Sequence, residues 1–450
     1  MHSPAFSKAK YDDGRKYAPM QKSLSLYAIL RRMLSELNEQ VVDHGDRVAY
    51  LYLKMQEYRQ TANRPDMDDM MLACYAHDIG AYKTEKFIDL LKFDVTNTME
   101  HCLYGYLFMK FFSALGEKAQ VLIYHHTYYS EKDKYSGRYL DDGILIHFLD
   151  RIDIFNIKHE DPDDVLWQAK NGSGRNFDPA DVADFLAANE KYHILENLRD
   201  GSYRVDVMEF FNDPDRIERM IRPVINMLAY EIDFRSEQTV IHSVTTAKIA
   251  QLLGQRAGLS EQEILYLQYA AQLHDLGKID IPTQIVEKPG RLTPDEYSIM
   301  KKHTVFTEMI ISELFPDEIV RIAARHHERL DGSGYPKGLT AESLTLSDRI
   351  MQVADVTSAL LQKRSYKQAM DKKTVISILT EEAEAGKLDA GLIAMLIAEY
   401  DALIAETMTA AEEVIHRYEN LHLEYACYLN RYSQSAHETI EEFPLLSRNK

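Results

Sequence analysis

The strongest constraint on this chain is an internal repeat of histidines and aspartates. One ordered set recurs in the second half of the chain, displaced by about 200 residues. The first set is His44, His77, Asp78, His101, His125, His126 and Asp150, and the second is His242, His274, Asp275, His303, His326, His327 and Asp355. These slots hold ten of the 17 histidines. A repeat of this length and order indicates a duplicated domain.

The segments between these positions have helical periodicity. Apolar residues recur at three- and four-residue spacings, and Ser260 with Glu263 is a capping-box pattern at a helix start. Alternating strand patterns are nearly absent, so an all-α fold is predicted. The polar, turn-rich stretch 158–180 is predicted to be a loop. The predicted divisions are a flexible lead-in at 1–20, a first repeat domain at 21–205, a linker helix at 206–235, a second repeat domain at 236–405, and a C-terminal helix and tail at 406–450.

Composition narrows the classes of partner. The 450 residues, 45% of them hydrophobic, are typical of a globular chain with two or three domains. A formal net charge of −19 argues against long nucleic acid and anionic membranes as partners, but a small anionic ligand in a locally positive pocket stays possible. Neither a signal peptide nor a membrane span is apparent, so a cytoplasmic protein is expected. Cys74 and Cys102 lie in apolar runs and are predicted to be core residues.

The repeated residue types point to metal binding. Neutral imidazole and carboxylate are ligands for divalent iron, manganese, nickel or zinc. The alternative for a single buried histidine is a hydrogen-bonded core residue, but an ordered set of seven, present twice, favours a metal centre. In the second set, Asp275 beside His274 is placed to bridge two ions. Two ions can activate water and hold a phosphoryl group.

The second half resembles the HD-GYP family of metal-dependent phosphodiesterases over roughly residues 236–405. The matching text runs from His274-Asp275-Leu276-Gly277-Lys278 to His326-His327-Glu328, then Gly334-Tyr335-Pro336. The first half resembles the broader HD superfamily, without the Gly-Tyr-Pro loop. The resemblance implies tandem all-helical HD domains, each around a two- or three-metal centre. It also implies hydrolysis of a cyclic dinucleotide to a linear one.

Carried over by position, the resemblance assigns ligands to two ions. His242, His274, Asp275 and Asp355 match the ligands of one ion, and Asp275, His303, His326 and His327 match those of the second. Some members hold a third ion through a glutamate, where this chain has Gln238 and Gln40, so two ions per occupied site are expected. Iron or manganese is favoured, while nickel, zinc, magnesium and calcium stay open.

The resemblance also implies roles around the substrate. Asp275 and Lys278 match catalytic positions, with Lys278 at the scissile phosphate. Tyr335, Arg364 and Lys367 match positions that contact the dinucleotide; a solvated basic helix end is the alternative for the last two. A phosphate charge on non-bridging oxygens is stabilised by a fixed ammonium or guanidinium, which makes these roles physically reasonable.

Three departures from the family pattern bear on activity. Ser358 stands where the family has an aspartate, which could orient Lys278 or the nucleophile; the first copy keeps an acid, Asp153. In the first copy Ala81 replaces the lysine, and 127–130 lacks the Gly-Tyr-Pro text. The N-terminal set is therefore either a vestigial site that supports the second domain or a second phosphohydrolase, such as one that dephosphorylates the linear product.

The sequence thus predicts a phosphodiesterase that cleaves 3′,3′-cGAMP or cyclic di-GMP to a linear 5′-phosphorylated dinucleotide. The tandem arrangement resembles 3′,3′-cGAMP phosphodiesterases. The alternatives are an HD-type nucleotidase or nucleotide phosphohydrolase, and a non-catalytic module that binds cyclic dinucleotides. The helix after Leu403 has an apolar face that either a homodimer or an intramolecular contact would cover.

Overall fold

The structure, a computed structural model, describes residues 25–35, 39–80, 98–233, 237–286, 288–361 and 370–435. Within these ranges the chain forms helices and no named strand, which confirms the predicted all-α fold. The helices of the first half are α1 (Leu26–Ser35), α2 (Glu39–Tyr58), α3 (Met67–Tyr75), α4 (Thr98–Phe112), α5 (Val121–Tyr124), α6 (Leu140–Lys158), α7 (Pro162–Gly172), α8 (Pro179–Tyr192), α9 (Ile194–Asp200) and α10 (Tyr203–Phe211).

A connecting helix and the second half follow. These helices are α11 (Pro214–Asp233), α12 (Glu237–Arg256), α13 (Glu261–Leu273), α14 (Thr283–Val286), α15 (Pro294–Met300), α16 (His303–Ile311), α17 (Asp317–Ala324), α18 (Leu346–Leu361), α19 (Lys372–Glu384), α20 (Ala390–Ala398) and α21 (Tyr400–Ser435). None of the helices described is both long and apolar enough to cross a bilayer.

Helix starts follow the capping signals in the sequence. Ser260 and Glu263 form a reciprocal capping box at α13, and Thr293 and Glu296 form another at α15. The predicted loop at 158–180 is wrong in part, because it contains α7. Asp161 caps α7 by accepting a hydrogen bond from the Asp163 amide, and the helix begins at a proline.

The two halves use the same packing scheme. In the first half, α2 packs against α3 and α6, while α4 and α5 close the other side. In the second half, α12 packs against α13 and α18, while α16 and α17 take the corresponding places. The middle of each half is where the repeated histidines and aspartates lie. The connecting helix α11 contacts α1 on one side and α12 and α13 on the other.

The C-terminal helix α21 packs against both halves of the chain. It lies along α12 and also contacts α4. Tyr418 packs on Phe112 with ring centroids 4.7 Å apart, and Glu424 accepts a hydrogen bond from Lys110 Nζ at 3.1 Å. Leu403 and Leu421 are fully buried. The larger part of the apolar face found in the sequence is therefore covered by the same chain, as in the intramolecular alternative, while Met408 on this helix is exposed.

Candidate metal centres

Each candidate ligand stands at a helix end or in the middle of a central helix. His242 is in α12 and Asp355 is in α18, whereas the His274-Asp275 pair directly follows α13 and the His326-His327 pair is separated from the end of α17 by one residue. His303 is the first residue of α16. The first half repeats these positions, with His44 in α2, Asp150 in α6, and the other ligands at the ends of α3 and α5 and in α4. Residues far apart in sequence thereby meet in the middle of each half.

The aspartate of each His-Asp pair faces two groups of histidines. Asp275 Oδ2 is 3.3 Å from His274 Nε2 and 3.8 Å from His242 Nε2. Its other oxygen, Oδ1, is 3.5 Å from His303 Nε2 and 3.9 Å from His326 Nε2. A carboxylate with one oxygen towards each group has the geometry for bridging two ions.

Asp78 has the same arrangement in the first half. Its Oδ2 is 3.5 Å from His77 Nε2 and 3.9 Å from His44 Nε2. Its Oδ1 is 3.6 Å from His125 Nε2 and 3.8 Å from His101 Nε2. The duplicated sequence thus produces a duplicated three-dimensional constellation.

Five of these ten histidines are oriented by the same hydrogen bond to the backbone. Nδ1 faces the backbone carbonyl of the residue three positions earlier, at 2.6–2.8 Å, so the proton lies on Nδ1 and the Nε2 lone pair faces the centre. The histidines held in this way are His77, His125, His274, His303 and His326. A neutral imidazole with a free Nε2 is the form that binds a metal ion.

The ionisation states in the second centre suit divalent cations. Burial lowers the pKa of His303 to about 4 and that of His327 to about 3, so both rings stay neutral. Burial opposes ionisation of Asp275 and Asp355 as well, but the neighbouring histidines, together with Lys278 at Asp275, outweigh it and hold both pKa values well below the usual range. Burial also acts to lower the pKa of His274, but Asp275 outweighs it and raises this pKa. A divalent ion would bind the ionised carboxylates and neutral imidazoles and would displace a proton from His274.

The side chains fit such ions in both halves. Among the described residues, five groups have ligand atoms within 4.8 Å of one another. They are His242/His274/Asp275, His303/His326/His327, His44/His77/Asp150, His101/Cys102/His125/His126 and His126/His147/Asp150. In addition, Asp275 Oδ1 and His77 Nε2 are buried without a hydrogen-bond partner among the described residues. An ion would satisfy both atoms.

The first histidine of each set has a different partner. His242 Nδ1 lies 2.9 Å from Ser358 Oγ, which also lies 2.6 Å from Thr245 Oγ1. In the first half His44 Nδ1 lies 2.7 Å from Asp153 Oδ2, and Asp153 Oδ1 accepts a hydrogen bond from Arg47 Nε. Ser358 is fully buried against His242, so this position orients the histidine.

The partner changes the charge of that histidine. Burial lowers the pKa of His242. Burial also acts to lower the pKa of His44, but hydrogen bonds to Asp150 and Asp153 outweigh it and raise this pKa to about 9. The two halves therefore differ in their affinity for a proton at the same slot.

Two predicted substrate residues of the second half lie beside the ligands. Lys278 Nζ donates a hydrogen bond to Asp275 Oδ2 at 2.6 Å, and its side chain is 27% exposed. The Tyr335 ring lies 4.8 Å from the His327 ring. Arg364 and Lys367 lie outside the described residues. The side chains of Gln40 and Gln238 are likewise outside the described part.

A buried glutamate shapes the loop that carries Tyr335. Glu328 is fully buried, and its two carboxylate oxygens accept hydrogen bonds from the amides of Lys337 and Leu339 at 2.7 and 2.8 Å. A Cβ at Gly334 would lie 2.4 Å from the Arg329 amide nitrogen, so the close approach of the loop requires glycine. This loop holds the Tyr335 ring against the ligand histidines.

Two residues at the first centre were missed or misread in the sequence. Cys102 is buried as predicted, but its Sγ is 3.7 Å from His101 Nε2. Burial raises the pKa of this thiol, but His101 and His125 outweigh it and lower the pKa to about 6. His147 joins one of the five ligand groups and has no histidine counterpart in the second half, so the repeat gave no signal for it.

Comparison with known proteins gives the family context. Residues 222–392 match the HD domain family. The chain is 27% identical over 406 residues to 3′3′-cGAMP-specific phosphodiesterase 1 of Vibrio cholerae, covering 84% of this chain and 93% of that protein. It is 40% identical over 177 residues to a cyclic di-GMP phosphodiesterase response regulator of Xanthomonas campestris, covering 39% of this chain and 46% of that relative.

Among solved structures, a cyclic GMP-AMP-specific phosphodiesterase of Vibrio cholerae aligns with 84% of this chain and 96% of its own, at 20% identity and a TM-score of 0.45.

Proposed function

We propose that this chain, which contains an HD domain at residues 222–392, is a metal-dependent phosphodiesterase for a cyclic dinucleotide second messenger. The substrate is 3′,3′-cGAMP, cyclic di-GMP or both, and the product is a linear 5′-phosphorylated dinucleotide. The observation that carries the proposal is Asp275 with one oxygen towards each histidine group and Lys278 alongside. The names of the relatives supply the substrate class.

Divalent ions at this centre supply Lewis acidity and a water of lowered pKa. His242, His274, Asp275 and Asp355 would hold one ion, and Asp275, His303, His326 and His327 would hold the second. Two ions per centre, with iron or manganese favoured, agree with the mixed imidazole and carboxylate set, and the other divalent ions stay open.

The side chains around the ligands position the phosphodiester. The Lys278 ammonium lies beside Asp275, where it can donate to a non-bridging phosphate oxygen as negative charge grows there. The aromatic ring of Tyr335 lies next to His327, where it could stack on a base or ribose of the substrate. Arg364 and Lys367 are proposed as further phosphate contacts. In-line attack by water and departure of the 3′ oxygen would give the 5′-phosphorylated product.

For the N-terminal centre we propose a second phosphohydrolase activity that removes phosphate from the linear product. Asp78 faces its four histidine neighbours as Asp275 does, which favours a working centre over a vestigial one. A nucleotidase acting on other nucleotides, and a non-catalytic binding module, are the competing assignments for the chain.

We also propose a cytoplasmic location, where a nucleotide second messenger is found. A homodimer stays a prediction without support from α21, because the larger part of its apolar face packs within the chain.

The test uses two matched double variants of the full chain. His274→Ala with Asp275→Ala, and His77→Ala with Asp78→Ala, are assayed anaerobically with iron or manganese on 3′,3′-cGAMP, cyclic di-GMP and cyclic di-AMP, with metal counted per chain. We expect only the first variant to lose cleavage of the cyclic substrate. The second should retain it and accumulate the 5′-phosphorylated product. Cleavage retained by the first variant would refute the assignment.

A further inference from the structure

One histidine outside the repeat shares the features of the ligand histidines. His147 lies in α6, one helical turn before Asp150, and is 3% exposed. Its Nδ1 is 3.2 Å from the backbone carbonyl oxygen of His125. A carbonyl can only accept, so Nδ1 carries the proton and Nε2 carries a lone pair.

The Nε2 atom of His147 has no hydrogen-bond partner in the described part of the chain, although it is buried. Buried polar atoms are nearly always satisfied, so an unpaired acceptor of this kind needs an explanation. His77 and His125 show the same pattern, with Nδ1 bound to a carbonyl and Nε2 facing a metal centre. The orientation of His147 is therefore that of a metal ligand.

Its neighbours supply the rest of a ligand group. Ligand atoms of His126, His147 and Asp150 lie within 4.8 Å of one another. The ring of Tyr128 lies 5.3 Å away at 85°, and that of Phe177 lies 6.0 Å away, which limits rotation of the imidazole. Two imidazoles and one carboxylate suit iron and other borderline divalent metals.

We propose that His147 is a metal ligand of the N-terminal centre and that, with His126 and Asp150, it creates an ion position that the C-terminal centre lacks. In the second half Gln352 occupies the equivalent slot, three residues before Asp355. Gln352 is fully buried, and neither of its amide atoms has a partner among the described residues. An amide binds iron less well than imidazole, so the same slot favours an ion in only one half.

This inference rests on the proposed metal binding of the N-terminal centre. The test compares two substitutions of equal size, His147→Gln, which copies the second half, and His147→Glu, which restores an ionisable ligand. Full-length proteins are dialysed anaerobically against iron(II), and iron per chain is counted by mass spectrometry. His159→Gln, at the end of the same helix, is the control, and melting of the iron-free proteins checks folding.

We expect His147→Gln to hold about one ion fewer than the wild type, and His147→Glu and His159→Gln to match the wild type. If His147→Gln bound as much iron as the wild type, this inference would fail while the N-terminal metal proposal would stand. If both His147→Gln and His147→Glu bound less iron, the role of His147 would be structural, and the inference would fail as well. If the His77→Ala, Asp78→Ala variant held as much iron as the wild type, the N-terminal metal proposal would fail with it.

Discussion

The two centres share a layout but differ in the residues around it. In both, an aspartate lies between two histidine groups, and backbone carbonyls fix the ring tautomers. The C-terminal centre adds Lys278 and the Tyr335 loop, whereas the N-terminal centre adds Cys102 and His147. Duplication has thus preserved the layout of the candidate ligands, while the side chains around that layout differ between the two centres.

The charged groups at the ligand carboxylates differ as well. Lys278 contacts Asp275, the aspartate between the histidine groups, whereas Arg151 contacts a different aspartate, Asp150, with Nε 3.0 Å from Oδ2. A cation at the bridging aspartate is close to where a scissile phosphate would be held. This difference favours diester cleavage at the C-terminal centre.

Lys278→Met should show the largest effect. Removing a positioned donor to a developing phosphate charge lowers kcat by about 10²–10³ in comparable sites. Metal content should not change, because the lysine is not a ligand. Steady-state kinetics and metal counting check this, with Lys248→Met, which breaks a pair with Glu406 on the same domain, as the control. An unchanged kcat would remove the proposed distinction between the two centres.

Asp153→Ser should alter the pH dependence of stability in the metal-free protein. The pKa of His44 is raised from 6.5 to about 9, so its protonated form stabilises the fold below pH 6.5, and this contribution is lost as the pH rises through 9. A shift of this size corresponds to about 3 kcal/mol. Removing Asp153 should therefore lower the free energy of unfolding more at pH 6 than at pH 10.

Urea unfolding of chelator-treated protein at the two pH values measures this. Ser358→Asp is the reciprocal variant and should make His242 easier to protonate, so that the second half acquires the pH dependence of the first. A cost of Asp153→Ser that is equal at pH 6 and pH 10 would contradict the role assigned to His44.

Gly277→Ala and Gly80→Ala should have smaller, matched effects on folding. A Cβ would lie 2.1 Å from the His303 carbonyl oxygen in one case and 1.9 Å from that of His101 in the other. Overpacking of this kind typically costs about 1–3 kcal/mol. Both variants should lower the denaturation midpoint, but only Gly277→Ala should also reduce cyclic-dinucleotide cleavage, since His303 must shift. Loss of cleavage in both would show that the two halves act as one unit.

Much of the centre could be predicted because its signals are local or repeated. The ordered histidines and aspartates were visible without a structure, and helix periodicity indicated the fold. The loop predicted at 158–180 is wrong in part because the prediction rests on the polar composition of the segment. Asp161 followed by Pro162 is a helix-start signal, and it outweighs that composition. The sequence does not indicate Cys102 as a ligand because it lies in an apolar run, which is typical of a core residue. It does not indicate His147 because the second half has no histidine at the corresponding position.

Residue type, spacing and order are properties of the linear chain, and they are sufficient to identify a helical, duplicated protein with an ordered set of histidines and aspartates. Which atoms of that set face one another depends on the tertiary structure. It set the two oxygens of Asp275 towards different histidines, Ser358 against His242, and α21 across both halves. Those choices depend on how helices pack across long sequence distances, and a lone pair such as that of His147 Nε2 acquires meaning only once its surroundings are fixed.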